Sequence, residues 1–175
     1  GYLWDSPRAK EASVKAAKIA CEAGRKVALT LSDPFCVDRH RESFMDLLHN
    51  YVDIFFANES EVNSLYQVED FDTAITVVRR SGNLAALTRG EKGSIIVSSE
   101  ETHIINAVPV KKVVDATGAG DLYAAGVLYG LSNAYDLKMS GSIGSIIAAE
   151  IISHVGARPI SNLNELTRNL KNQNV

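Results

Sequence analysis

Two acids bracket a glycine-rich turn in the run Asp115-Ala116-Thr117-Gly118-Ala119-Gly120-Asp121. Val113-Val114 leads into it, and an Ala-rich helical pattern (Leu122, Ala124, Ala125, Val127, Leu128) leaves it. The run reads as the end of a strand, a tight turn and a helix with an aspartate in its first turn. The first N–H groups of a helix lack intrahelical partners and sit at the positive end of its dipole. Such a place suits an anion, phosphate above all. Glycine belongs there because a Cβ would hold the phosphate off the backbone. An acid beside a bound phosphate repels it unless it has a task, such as accepting a proton from an attacking hydroxyl. Asp121 is therefore the candidate base, and Gly118, Ala119 and Gly120 are the candidate anion-holding residues. A helix cap on an ordinary turn is the plainer alternative.

Two further constellations carry phosphate logic. Asn58-Glu59-Ser60-Glu61 places an amide and a carboxylate three residues apart at a strand end. Hard oxygen donors of that kind can hold a hydrated Mg²⁺. The same spacing makes a capping box, with Asn58 as N-cap and Glu61 reaching back, and both readings stand. Thr88-Arg89-Gly90-Glu91-Lys92-Gly93 fits a loop hugging a nucleotide through Thr88, Gly90 and Gly93, and equally a hairpin turn. The P-loop pattern and the Gly-x-Gly-x-x-Gly dinucleotide pattern are both absent from the sequence.

The elements that must position these residues alternate between strand and helix. Gly1-Tyr2-Leu3-Trp4-Asp5 reads as a strand end running into a helix at Ser6-Pro7, with Ser6 as N-cap and Pro7 at the first helical position. That helix runs to about Ala23 on Val14, Ala17, Ile19 and Ala20, and Gly24 stops it. Strands are expected at 27–31, 52–57 and 84–88, and residues 32–35 form a loop. Helices are expected at 41–49, 59–66 and 71–80. Residues 94–98 and 103–106 alternate like a hairpin around Glu100-Glu101. Residues 110–114 lead into the phosphate turn, and helices follow at about 119–131, 136–154 and 162–172. The polar end, 169–175, is expected to fray. This order predicts an α/β fold with a doubly wound, mostly parallel sheet. Ligands in such sheets bind beyond the carboxyl ends of the strands, where Asp33, Asn58, Thr88 and Asp115 are expected to fall.

The chain has 175 residues, 46% of them hydrophobic and 22% charged, with a formal net charge of −3. One domain is the default at this length. The charge balance gives no footprint for nucleic acid or an anionic membrane. Cys21 and Cys36 form no disulfide framework, and the histidines show no zinc-site spacing. Both points fit a cytoplasmic protein. No apolar run reaches the ~20 residues that cross a bilayer.

Four segments in order resemble the ribokinase family of carbohydrate kinases, the phosphofructokinase-B type, and in particular its adenosine kinase-like branch. Asn58-x-x-Glu61 is similar to the family's Asn-x-x-Glu. Thr88-Arg-Gly-Glu-Lys-Gly93 is similar to its Thr-x-Gly-x-x-Gly loop. Asp115-Ala-Thr-Gly-Ala-Gly-Asp121 resembles its signature Asp-Thr-x-Gly-Ala-Gly-Asp, and Gly156-Ala157-Arg158-Pro159 resembles its Gly-Ala-x-Pro. Tyr2-Leu3-Trp4 and Leu31-Ser32-Asp33-Pro34-Phe35 resemble the adenosine kinase-like members more than ribokinase itself.

The resemblance implies a three-layer ribokinase-like fold and transfer of the γ-phosphate of ATP to a hydroxyl of a sugar or nucleoside, adenosine or a related carbohydrate. It implies Asp121 as base and Gly118, Ala119 and Gly120 as the anion hole. Asn58, Thr88, Gly90, Gly93 and Gly120 would contact the nucleotide, and Glu61 with Asn58 would order Mg²⁺ through its waters. Asp115, Thr117 and Gly156 fall where the family often binds a monovalent cation such as K⁺. Ala116 stands where the family usually has Thr, and Ile160 where some relatives place a Ser beside that cation. The family's early Gly-Gly motif, acceptor-binding Asp and Asn, and β-sheet lid have no counterpart here. The chain thus reads as a single partial domain, 1–175, the C-terminal ATP-binding portion without the N-terminal half and lid. It is expected to phosphorylate poorly alone, and a homodimer would form through the missing lid. A regulatory relative that binds nucleotide without catalysis is the alternative.

Overall fold

The computed structural model describes residues 1–171. Five strands form one sheet in the order β1 (Ala28–Thr30), β2 (Ile54–Asn58), β3 (Leu84–Thr88), β4 (Ser94–Val97) and β5 (Thr102–Ile105). Seven helices accompany them: α1 (Pro7–Glu22), α2 (Pro34–Asn50), α3 (Glu59–Tyr66), α4 (Phe71–Ser81), α5 (Ala119–Ser132), α6 (Leu137–Ile151) and α7 (Leu163–Lys171). β1 and β2 pair in parallel with Leu29 opposite Phe55. The helix α2 between them is the long crossover that a parallel pair needs. β3, β4 and β5 follow one another through turns too short for a crossover, so the sheet is mixed but starts as the alternating pattern predicts.

The chain divides into two compact units. The first, residues 1–87 and 97–102, is centred on Phe44, Phe55, Leu65 and Val78, all fully buried. Its helices start where capping side chains stand. Asp33 accepts from the amides of Phe35 and Cys36, Asn58 from Glu61, and Asp70 from Thr73. Each such cap contributes about 1 kcal/mol.

Several boundaries differ from expectation. α2 begins at Pro34 rather than residue 41, because Asp33 caps it and Pro34 occupies its first turn, and a kink at His40 divides it. Residues 2–5 form a 3₁₀ turn instead of a strand end, since Trp4 turns inward to stack on Phe44 at 4.8 Å and to donate to Ser43 Oγ. Of the apolar positions expected on α1, Ala17 is buried and Ile19 is exposed.

The second unit comprises residues 88–96 and those from 103 onward. β4 is buried at every position instead of alternating, because both faces of such a sheet are covered. On one face, Ser94 takes the Tyr123 hydroxyl of α5 at 2.7 Å, and Ile96 lies against Gly141 of α6. α5 and α6 touch through small residues. A Cβ on Gly126 would come within 2.7 Å of Gly144 Cα, and one on Gly130 within 2.7 Å of Ser140 Cα. Met139, Ile143 and Ile147 of α6 form a buried stripe with Leu122 and Leu163 packed on it.

Residues 110–114 are not a strand. Val113 and Val114 are exposed, and the Val114 amide donates to Ile152 O at the end of α6. The segment is tied to a helix terminus and joins no ladder, so Asp115 does not end a strand. The expected fraying of 169–175 concerns mainly residues that lie outside those described. Among the described residues no helix is long and apolar enough to cross a membrane.

Candidate active site

α5 starts at Gly118, whose backbone is left-handed (φ 79°). Its first turn holds Ala119, Gly120 and Asp121, and the Leu122 amide closes the turn on Gly118 O at 2.9 Å. The amides of Gly118, Gly120 and Asp121 have no protein acceptor among the described residues. The Ala119 amide does: it donates to Ala116 O at 3.1 Å. The turn therefore offers three unpartnered amides, those of Gly118, Gly120 and Asp121, at the helix start. A Cβ on Gly120 would meet nothing within 4 Å, so open space lies over this turn. Asp121 is exposed at that same helix start.

The turn is held from the C-terminal side. A Cβ on Gly118 would come 2.9 Å from Ala157 Cβ, so the two backbones approach closely. Asp115 Oδ1 accepts from the Thr117 amide at 2.9 Å, and Oδ2 from the Gly156 amide at 3.0 Å. The Thr117 side chain and these two amides hold the Asp115 carboxyl down at about 2, well below the usual carboxylate range. Asp115 and Thr117 are thus brought to Gly156, which lies 41 positions after Asp115 in the sequence. With three donors on about four lone-pair sites, the carboxylate that joins them keeps room for one more partner. Such hard oxygens suit a small cation.

Thr88 ends β3, and Gly90 to Lys92 form a 3₁₀ turn closed by the Arg89 amide donating to Gly93 O at 2.8 Å. Gly93 is a packing requirement as well as a loop residue. Its φ is 82°, and a Cβ would lie 2.0 Å from Ile105 O. This turn runs directly into β4, where Ser94 holds Tyr123 of α5. Tyr123 is buried, and burial pushes its hydroxyl up to about 12, so it stays protonated as a donor.

In the first unit, Asn58 and Glu61 form the capping box. Asn58 Oδ1 accepts from the Glu61 amide, and Glu61 Oε2 from the Asn58 amide, both at 2.9 Å. Asn58 Nδ2 adds a 2.7 Å bond to Glu61 Oε1. Glu61 is buried, and burial raises its carboxyl above the ordinary value. Each Glu61 oxygen already accepts once and keeps one lone pair. That arrangement fits Mg²⁺ held through its water shell better than direct ligation. Asp33, expected on the rim, is spent on capping α2.

Two residues that tie α5 to the Gly93 loop, Tyr123 and Ser94, are not singled out by the sequence. The signal for Ser94 was a hydroxyl inside an otherwise apolar strand. Asp5, Cys36 and His40 also cluster, with candidate ligand atoms within 4.8 Å, but Arg39 spans both Asp5 oxygens at 3.0 Å.

The model of the pfkB family carbohydrate kinase matches residues 6–163. The chain belongs to the pfkB family of carbohydrate kinases. Among curated pfkB relatives, the adenosine kinase of Saccharomyces cerevisiae is 30% identical over 158 residues, covering 83% of this chain and 46% of that protein. Among solved structures, the adenosine kinase from Sinorhizobium meliloti superposes with a TM-score of 0.93 at 45% identity, covering 97% of this chain and 52% of that one. A probable sugar kinase from Rhizobium etli matches with a TM-score of 0.93 at 44% identity, with the same coverage of 97% and 52%. The chain spans about half the length of these relatives. The fold is the ribokinase-like α/β fold of the pfkB kinases, as its motifs imply.

Proposed function

We propose that this chain carries the phosphoryl-transfer machinery of an ATP-dependent kinase acting on a hydroxyl of a nucleoside or sugar. One observation carries the reading: α5 opens on two partnerless glycine amides under open space, with the exposed Asp121 carboxylate in the same turn. Phosphoryl transfer asks little covalent work of a protein. It needs positioning and stabilisation of charge on the transferred group. The Gly118 and Gly120 amides and the α5 dipole supply that stabilisation, as preorganised donors do for developing oxyanions. Asp121 accepts the proton of the incoming hydroxyl as the alcohol oxygen bonds to the γ-phosphorus and the bond from that phosphorus to the bridging oxygen breaks, releasing ADP.

Thr88, Gly90 and Gly93 contact the nucleotide. Gly93 fixes this loop to β5 and Ser94 fixes it to α5, so loop and anion turn keep one spacing. Glu61 and Asn58 orient the water shell of Mg²⁺, which when bound neutralises phosphate charge. Asp115, with Thr117 and Gly156, fits a monovalent cation beside the turn. The two adenosine kinases among the relatives favour a nucleoside acceptor, adenosine first. The likeness of the whole chain to pfkB kinases supports a small-molecule acceptor and a soluble, cytoplasmic enzyme.

The test is Asp121→Asn in the full-length protein, assayed with Mg-ATP and adenosine. Loss of a positioned general base costs ~10²–10⁴-fold in kcat. ATP affinity by calorimetry stays within about threefold, since the amides and dipole are untouched. A variant that retains a tenth or more of wild-type kcat removes Asp121 from the role of base.

A further inference from the structure

The segment 156–161 has no regular structure, yet it supports the anion turn. Its first residue donates to Asp115, and its second, Ala157, is the seat of Gly118. Its far end is held by one buried side chain. Glu150 sits at the penultimate position of α6, with its side chain 7% exposed. Its Oε1 accepts from the Ile160 amide at 2.9 Å and from the Ser161 amide at 2.8 Å. His154, one turn further along the chain, brings Nε2 to 3.3 Å from the same oxygen. Glu150 Oε2 is buried with no hydrogen-bond partner.

Burial disfavours the Glu150 carboxylate, yet the Ser161 and Ile160 amides hold its carboxyl below the usual range. A segment of this kind could be anchored more cheaply by apolar side chains, but Ile160 is exposed and its side chain anchors nothing. What Glu150 supplies is a fixed point for two backbone amides, and that sets the path of the chain between Gly156 and Ser161. The path in turn sets where Ala157 meets Gly118.

We propose that Glu150 is a positioning residue for phosphoryl transfer: its carboxylate clamps the 160–161 amides and so holds Ala157 against Gly118 at the start of α5. The inference rests on the phosphotransfer reading above. Release of the clamp lets the segment and the Gly118 turn drift together. A drift on the order of 1 Å at a reacting centre costs ~10²-fold in rate.

The experiment compares Glu150→Ala and Glu150→Gln with wild type in the full-length protein, by steady-state kinetics and by amide hydrogen exchange. Glu150→Ala is expected to lower kcat by ~10–100-fold with the ATP KM changed less than about threefold. Its exchange rises at 160–161 and also at 115–121. Glu150→Gln keeps an acceptor oxygen for both amides, so kcat returns to within about threefold of wild type. A merely structural role would lower the denaturation midpoint and leave the kcat of the folded fraction intact. Faster exchange confined to 160–161, or unchanged kcat in folded Glu150→Ala, overturns the proposal. Should Glu150→Ala not fold, Glu150→Asp, one methylene shorter, carries the same two readouts. A wild-type protein without phosphotransfer would refute the function instead, and the spread of exchange from 160–161 to 115–121 would still decide the clamp.

Discussion

Gly120→Ala separates the anion turn from the fold that carries it. A methyl group at residue 120 meets no atom within 4 Å, and the residue is helical, without the positive φ that excludes side chains. Alanine in a helix is favoured over glycine by roughly 0.5–1 kcal/mol. The variant should therefore fold as well as wild type, or slightly better. The open space is nevertheless where the transferred group is proposed to rest on the Gly118 and Gly120 amides. A methyl carbon there pushes the phosphoryl outward by an amount on the order of 1 Å, and a displacement of that size costs ~10²-fold, or about 2.7 kcal/mol of barrier. Urea denaturation gives the stability arm, and steady-state kinetics of the full-length protein with Mg-ATP and adenosine gives the rate arm. The expected result is an unchanged or raised midpoint with kcat down ~10²-fold. A folded Gly120→Ala protein with kcat within about twofold of wild type would refute the placement of the phosphoryl group on this turn.

Two other substitutions test the parts that hold the turn. Gly93→Ala places a Cβ 2.0 Å from Ile105 O at a φ of 82°, and backbone cannot swing aside as a side chain can. The left-handed φ alone costs about 1–2 kcal/mol, and with the overlap the loss should reach at least about 3 kcal/mol in denaturation; a melting temperature within about 2 °C of wild type would contradict the packing described. Asp115→Asn concerns acid stability. The Asp115 carboxyl is held at about 2 in the folded chain against an ordinary value of 3.8, so its contribution is present above 3.8 and drains away as the pH falls toward 2. Wild type should lose stability across that window more steeply than Asp115→Asn, and parallel acid-denaturation curves would show that the clamp is not worth its carboxylate.

The glycine turn was more legible in the sequence than the scaffold that positions it. Asp121, Gly118 and Gly120 could be singled out because a glycine turn before an Ala-rich run has few physical uses, and the positive φ of Gly118 is one of them. The bond from the Ala119 amide back to Ala116 O is set by local geometry that residue types do not encode. α2 begins earlier than the sequence pattern predicts because Asp33 and Pro34, residue types that also suit a loop, make a cap and a first turn. The valines of 110–114 mimic a strand in composition, yet the Val114 amide donates to Ile152 O, 38 positions along the chain. Glu150 was passed over altogether: an acid inside the apolar stretch of α6 looks like a solvated face until its buried position is known.

The small residues of α5 and α6 explain why the turn can be so sparing. Gly126, Gly130, Gly141 and Gly144 lie inside helices, and each costs about 0.8–1 kcal/mol relative to alanine. Helix propensity alone would therefore remove them. Each is nevertheless placed where a Cβ would strike a neighbour at 2.5–2.8 Å, be it the facing helix or the β4–β5 side chains. The helices thus meet backbone to backbone, with few rotamers between them to absorb a shift. Tyr123 then pins the first turns of α5 to Ser94, next to the Gly93 loop. Such seating keeps the body of α5 in place while the 156–161 segment supports its first turn. On the proposed function, preorganised donors at that first turn stabilise the transferred group. Widening this seam by Gly126→Ala should therefore cost rate as well as stability, although Gly126 lies about two helical turns beyond Gly118.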